Sequence, residues 1–123
     1  MELADLYTVD AHNAGAEMRV KDQAGKPTDI YIRVVGLDSS IWRNTLREAQ
    51  RAAVERLVSG EAEVEQDNTL TLAKATIGWR GLTRDGAEVE FTQEEAQALY
   101  KNAPYIADQI DRFIAKRANF TQS

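Results

Sequence analysis

The chain has no cysteine, one histidine and two prolines in 123 residues. Without cysteine there is no thiol nucleophile, no Cys-ligated zinc, no iron–sulfur cluster and no disulfide framework. The single histidine, His12, has no nucleophile or second ligand near it in sequence, so it gives a Ser-His-Asp triad no support and is expected to face solvent. Positive charge is in deficit as well: the formal net charge is -5 and the pI about 4.9, which excludes a protein whose main task is gripping phosphate backbones. Long apolar runs are missing, and none approaches the roughly 20 residues of a membrane span. The opening MELADLYTVDAHNAGAE lacks the basic start and apolar centre of a signal peptide. These absences lead to the expectation of a soluble cytoplasmic protein with no nucleic-acid and no membrane partner.

What is present is ordinary globular material, 43% hydrophobic and 28% charged, enough for one core. Residues 1–15 are weakly patterned apart from Leu3, Leu6, Tyr7 and Val9, and read as a flexible arm that orders only against something else. Residues 16–120 read as a single domain. Its fold class is α+β, mainly α: an N-terminal β-hairpin followed by about four amphipathic helices.

The hairpin is expected over 17–35. Met18 and Val20, then Ile30, Ile32 and Val34, alternate with polar residues around a turn containing Gly25 and Pro27. After Gly36, Asp38 or Ser39 can cap a helix over 40–58, striped by Trp42, Leu46, Ala49, Ala53 and Leu57. Leu70, Ala73 and Ile77, with Leu72, Ala75 and Trp79, suggest a second helix over 69–80. Asp85-Gly86 marks a tight turn or miniature hairpin. Thr92-Gln-Glu-Glu95 matches a capping box for a helix over 93–102, and Pro104 opens a last one to about 118, striped by Ile106, Ile110, Phe113 and Ile114.

No catalytic, cofactor-binding or metal-binding set emerges. Asp108 and Asp111 are paired acids, read as a solvated helix face. The alternating acids Glu61, Glu63, Glu65 and Asp67 lack the glycine and terminal glutamate of a calcium loop. No Gly-rich phosphate loop is present, and no cofactor is expected. Two surfaces remain as candidates for a partner or for self-association: the row Arg43, Arg47, Arg51, able to meet an acidic surface such as 61–67 of a second copy, and the stripe Ile106, Ile110, Phe113, Ile114. The strand Ile30 to Val35 is a further candidate edge. Trp42, Trp79 and Phe91 read as a core corner, with both tryptophans largely buried; a partner pocket is the weaker reading of Trp79.

Several blocks in order, Val-Gly-Leu-Asp-Ser-Ser from Val35, the helix at Trp42, Ala75-Thr-Ile-Gly-Trp-Arg-Gly-Leu, Asp85-Gly86, Phe91-Thr, Pro104-Tyr-Ile-Ala-Asp-Gln-Ile and Ala118-Asn-Phe120, resemble tail assembly chaperones of long-tailed bacteriophages and prophages. The resemblance spans residues 16–120. It implies a non-enzymatic, homo-oligomeric factor in the cytoplasm of the bacterial host. Such a factor binds the phage tape-measure protein and keeps it soluble and extended until tail-tube polymerisation. It also implies contact with the tail-tube protein through a longer, frameshifted product. A structural component of the virion tail or head–tail connector is the alternative.

Overall fold

A computed structural model of the chain describes residues 1–60 and 68–121. Six α-helices and five strands are described, a mixed helix and strand architecture. After a 3-10 turn at Leu3–Leu6 come α1 (Val9–Ala14), β1 (Ala16–Lys21), β2 (Pro27–Val34), α2 (Ser40–Ser59) and α3 (Asn68–Ala75). Then follow β3 (Thr76–Arg80), β4 (Thr83–Arg84), β5 (Ala87–Glu88), α4 (Gln93–Asn102), α5 (Pro104–Ala115) and α6 (Ala118–Thr121).

The expected hairpin forms, with Met18 opposite Ile32 and Ala16 opposite Val34. Its alternation sends Met18, Val20, Ile32 and Val34 into the core. A third strand was not expected. The residues read as the end of a helix over 69–80 leave the helix at Ala75 and pair antiparallel with β2, setting Trp79 opposite Ile32 and Tyr31 opposite Arg80. Thr76 and Ile77 are β-branched and Gly78 is a poor helix former, so the local preference already turned there. The sheet order is β1-β2-β3, which makes β2 the central strand and removes Ile30 to Val35 as a free edge.

Helices α3, α4 and α5 close over this sheet. Leu72, Ala73 and Ala75 come from α3, Ala96 and Tyr100 from α4, and Ile106, Ile110 and Ile114 from α5, all buried in one cluster with the strand residues. Gln109 of α5 donates its side-chain amide to the Lys21 carbonyl (2.8 Å) and accepts from the Lys21 N–H (2.9 Å), so a helix side chain occupies the free end of β1. Inside the cluster the Thr76 hydroxyl donates to the Leu72 carbonyl (2.8 Å) and accepts from the Tyr100 hydroxyl (2.6 Å). Both groups are thereby satisfied away from water.

Local chemistry sets the helix ends. The Ser39 hydroxyl accepts the Trp42 N–H at 3.1 Å, and the Thr92 hydroxyl accepts the Glu95 N–H at 3.1 Å. The reciprocal half of the expected capping box is absent, because the Glu95 carboxylate instead forms a two-point pair with Arg84 (2.9 and 3.2 Å). Asp85 and Gly86, both at positive φ, join β4 to β5 as the Asp-Gly pair foretold. The helix expected to run to 118 ends at Ala115, and α6 follows as a separate turn.

The packed body begins earlier than residue 16. His12, expected in solvent, is fully buried against the Phe120 ring at a centroid distance of 4.9 Å. Its ring lies where a side chain on residue 36 would stand, so only glycine fits at Gly36.

Candidate functional site

Two amphipathic helices were candidates for an interaction surface, and the structure separates them. In α5, Ile106, Ile110 and Ile114 are core residues with at most 4% exposure, and Phe113 is half-buried edge-on to Phe120. The stripe expected as a possible surface is therefore the floor of the core. It docks on β1, α3 and α4, which leaves it no free face.

Helix α2 has the opposite arrangement. Thr45 is the one residue of the helix that is buried, with Trp42, Ala52 and Arg56 half-buried along the same side. The Glu48 carboxylate meets Lys74 of α3 at 3.3 Å. Everything else in the last three turns faces outward. Leu46 is 45% exposed, Val54 58%, Leu57 78% and Val58 83%, and Ala49 and Ala53 lie exposed among them. At 100° per residue, Leu46, Ala53 and Leu57 stack one above another, with Ala49, Val54 and Val58 beside them. Helix α2 is about 30 Å long, and among the described residues it is mainly α3 and α1 that pack against it, toward the side that carries Thr45.

Arg43, Arg47 and Arg51 run along one edge of this stripe, all exposed. Among the described residues none of the three makes an ion pair; Arg47 reaches only the Asn44 side-chain oxygen at 3.4 Å. Four arginines and two glutamates make α2 a basic element in an acidic chain. The acidic run 61–67, named as a complement to the arginine row, lies outside the described residues.

No protein-family model, curated protein or solved structure matches the chain. The site is thus read from its own geometry.

The expected core corner is partly assembled. Trp79 and Phe91 meet edge-to-face at 5.2 Å, and the indole N–H donates to the Val89 carbonyl at 2.9 Å. Both rings are half-buried against the core, where Trp79 was expected to be largely buried. Trp42, also half-buried, packs on the core from the first turn of α2. Asp108 and Asp111 stand exposed at the rim of a solvent-open depression of about 340 Å³ between α3 and α5. Among the described residues no group of three acids or histidines is placed to hold a metal ion, and no helix is long and apolar enough to cross a membrane.

Beside the start of α2 lies a polar cluster that sequence reasoning missed. The Thr8 hydroxyl donates to Asp38 Oδ2 at 2.6 Å, and Arg117 Nε and Nη2 donate to the same carboxylate at 3.1–3.2 Å. These bonds hold the Asp38 carboxyl below its ordinary range, Arg117 contributing most. The Asp38 N–H donates to His12 Nδ1 at 3.0 Å, so the neutral ring carries its proton on Nε2, an atom with no hydrogen-bond partner. Burial lowers the pKa of His12, and Arg117 adds to that against the pull of Asp38. The cluster clamps residues 8–14 to the body. Residues before it present Leu3, Leu6 and Tyr7 at 61–69% exposure. The signal that could have found the clamp is Gly36, a glycine where the second strand ends and a buried ring needs room.

Proposed function

We propose that the protein is a tail assembly chaperone of a long-tailed bacteriophage or prophage. It binds the tape-measure protein in the cytoplasm of the bacterial host and keeps it soluble and extended until the tail tube polymerises. It does no enzymatic chemistry, needs no cofactor and acts as a homo-oligomer. A longer frameshifted product would extend the same domain towards the tail-tube protein. The resemblance over residues 16–120 supplies the family. The observation that carries the reading is the exposed face of α2, a straight row of apolar side chains edged by exposed arginines. A long helical client offers stripes of apolar side chains repeated along its length, and such stripes are met by an exposed linear surface. Contiguous exposed apolar area on a soluble domain marks an interaction site.

Co-expression with the tape-measure protein of the same genome tests this. The soluble yield of the tape-measure protein should rise at least tenfold with the wild type and fall back with V54E/L57E. A tape-measure protein equally insoluble with and without the wild-type chain would end the proposal. Stoichiometric recovery of the chain in purified virions would replace it with the tail or connector component.

A further inference from the structure

We infer that the distal half of the α2 face is covered by the N-terminal arm of a second copy, so that the protein assembles head to tail. The inference rests on the self-association in the reading above and specifies which two surfaces meet.

Two exposed apolar patches stand on the same chain, and their charges are opposite. The α2 face joins Leu46, Val54, Leu57 and Val58 to the arginine row, while both glutamates of the helix, Glu48 and Glu55, fall on the side away from the stripe. The arm joins Leu3, Leu6 and Tyr7 to Glu2 and Asp5, with Asp10 exposed on α1 just behind them, and apart from the buried His12 the first basic side chain after them is Arg19. Apolar contact supplies the affinity, and the acidic arm meets a basic helix.

The arm of the same copy does not reach. Thr8 is pinned to Asp38, beside the start of α2. Residues 3–7 fully extended span at most about 18 Å. Val54, Leu57 and Val58 lie about 21–27 Å along the helix from Ser40. A symmetric pairing of two α2 faces is disfavoured by charge. Antiparallel helices would set the arginine row against itself, and parallel ones would set it against Arg56 on the opposite edge. Arm onto distal helix is a heterologous contact: each copy uses one surface and leaves the other open, so the assembly grows as a ring or an open chain. The arm and the client take the same face, so the client displaces the arm copy by copy as it binds.

Complementation between two full-length variants tests the contact. L3S/L6S/Y7S removes the apolar arm, and V54E/L57E removes the receiving face. All five positions are exposed, so both should melt like the wild type. By light scattering the wild type should form oligomers larger than dimers, and its association should weaken at least tenfold between low and high salt. Each variant alone should be monomeric. Their equimolar mixture should give a heterodimer and nothing larger, since one intact arm meets one intact face and the remaining surfaces are both disabled. Self-association of the arm variant would overturn the contact in favour of α2 pairing, and a mixture that stays monomeric would overturn it outright. The tape-measure co-expression assay separates the failures. A monomeric wild type that still solubilises the tape-measure protein sinks the head-to-tail contact alone. Heterodimers without any effect on that protein sink the chaperone reading alone.

Discussion

Helices α2 and α5 are both amphipathic, and their apolar stripes have opposite fates. In α5 the stripe Ile106, Ile110, Ile114 is at most 4% exposed, whereas in α2 the large residues Leu46, Val54, Leu57 and Val58 are 45–83% exposed. Periodicity alone does not separate them, because a 3.6-residue repeat says that a face exists and nothing about what covers it. Cover is a property of the neighbours. Helix α5 lies against β1, α3 and α4, and Gln109 ties it to the end of β1. Among the described residues, helix α2 meets mainly α3 and α1, and its distal turns stay exposed.

The largest expected effect sharpens that contrast. Ile110→Ala should destabilise the fold by about 3 kcal/mol, the transfer loss plus an unfilled cavity. Leu57→Ala should stay within about 0.5 kcal/mol, as for an exposed site. Equal losses in thermal melts at low concentration would mean that α2 belongs to the core after all.

The next effect is polar and lies inside the covered region. Thr76→Val leaves the buried Tyr100 hydroxyl without its partner and should cost about 2 kcal/mol in denaturant titration. Burial also pushes the Tyr100 hydroxyl up to about 12. A raised folded-state value keeps the folded protein protonated after the unfolded chain has ionised. Its contribution is therefore complete below pH 10 and is lost as the pH climbs from 10 to about 12. Tyr100→Phe should remove that part of the alkaline loss.

A smaller effect is expected at acid pH, at the clamp that holds residues 8–14. His12 has a lowered folded-state value, so above 6.5 both states are neutral and stability is flat. As the pH falls below 6.5 the unfolded chain takes up a proton that the buried ring refuses, and stability declines until the folded ring also titrates. Asp38, its value lowered by Arg117 and Thr8, adds stability above 3.8 that is lost at still lower pH. Melting temperatures from pH 7 down to 4 should fall for the wild type and fall less for Arg117→Ala, whose removal relaxes both groups. An identical decline in the two proteins would contradict the clamp.

The smallest effect returns to α2. Arg47→Ala and Arg51→Ala should change stability by no more than about 0.5 kcal/mol, since both are exposed and neither makes an ion pair among the described residues. They should still flatten the salt dependence of association. A loss of stability would place the arginine row in the fold rather than at an interface.

The features written in contiguous residues were legible. Ser39 and Thr92 cap, Pro104 starts, Asp85-Gly86 turns, and the alternation over 16–34 forms the hairpin. What was missed depends on distant partners. At Ile77, strand β3 continues the helical spacing of Leu70 and Ala73 in α3, and its true partner β2 lies more than 40 residues upstream. His12 looks idle in sequence because the space it fills is opened by Gly36 and closed by Phe120. For the candidate site, the arginine row was legible as exposed and the stripe beside it as apolar, but whether that stripe is covered was not legible, and the buried α5 stripe was offered as a surface. Both outcomes turn on which helix the sheet and α4 cover.

Hydroxyl-radical footprinting at low and high protein concentration tests most directly whether the α2 face is an interface rather than an unfinished core. Labelling of Leu57, Leu3 and Leu6 should be strong in dilute protein and fall together as concentration rises, while Ile110 stays unlabelled throughout. Labelling of Leu57 that is the same at both concentrations, whether strong or absent, would contradict the account.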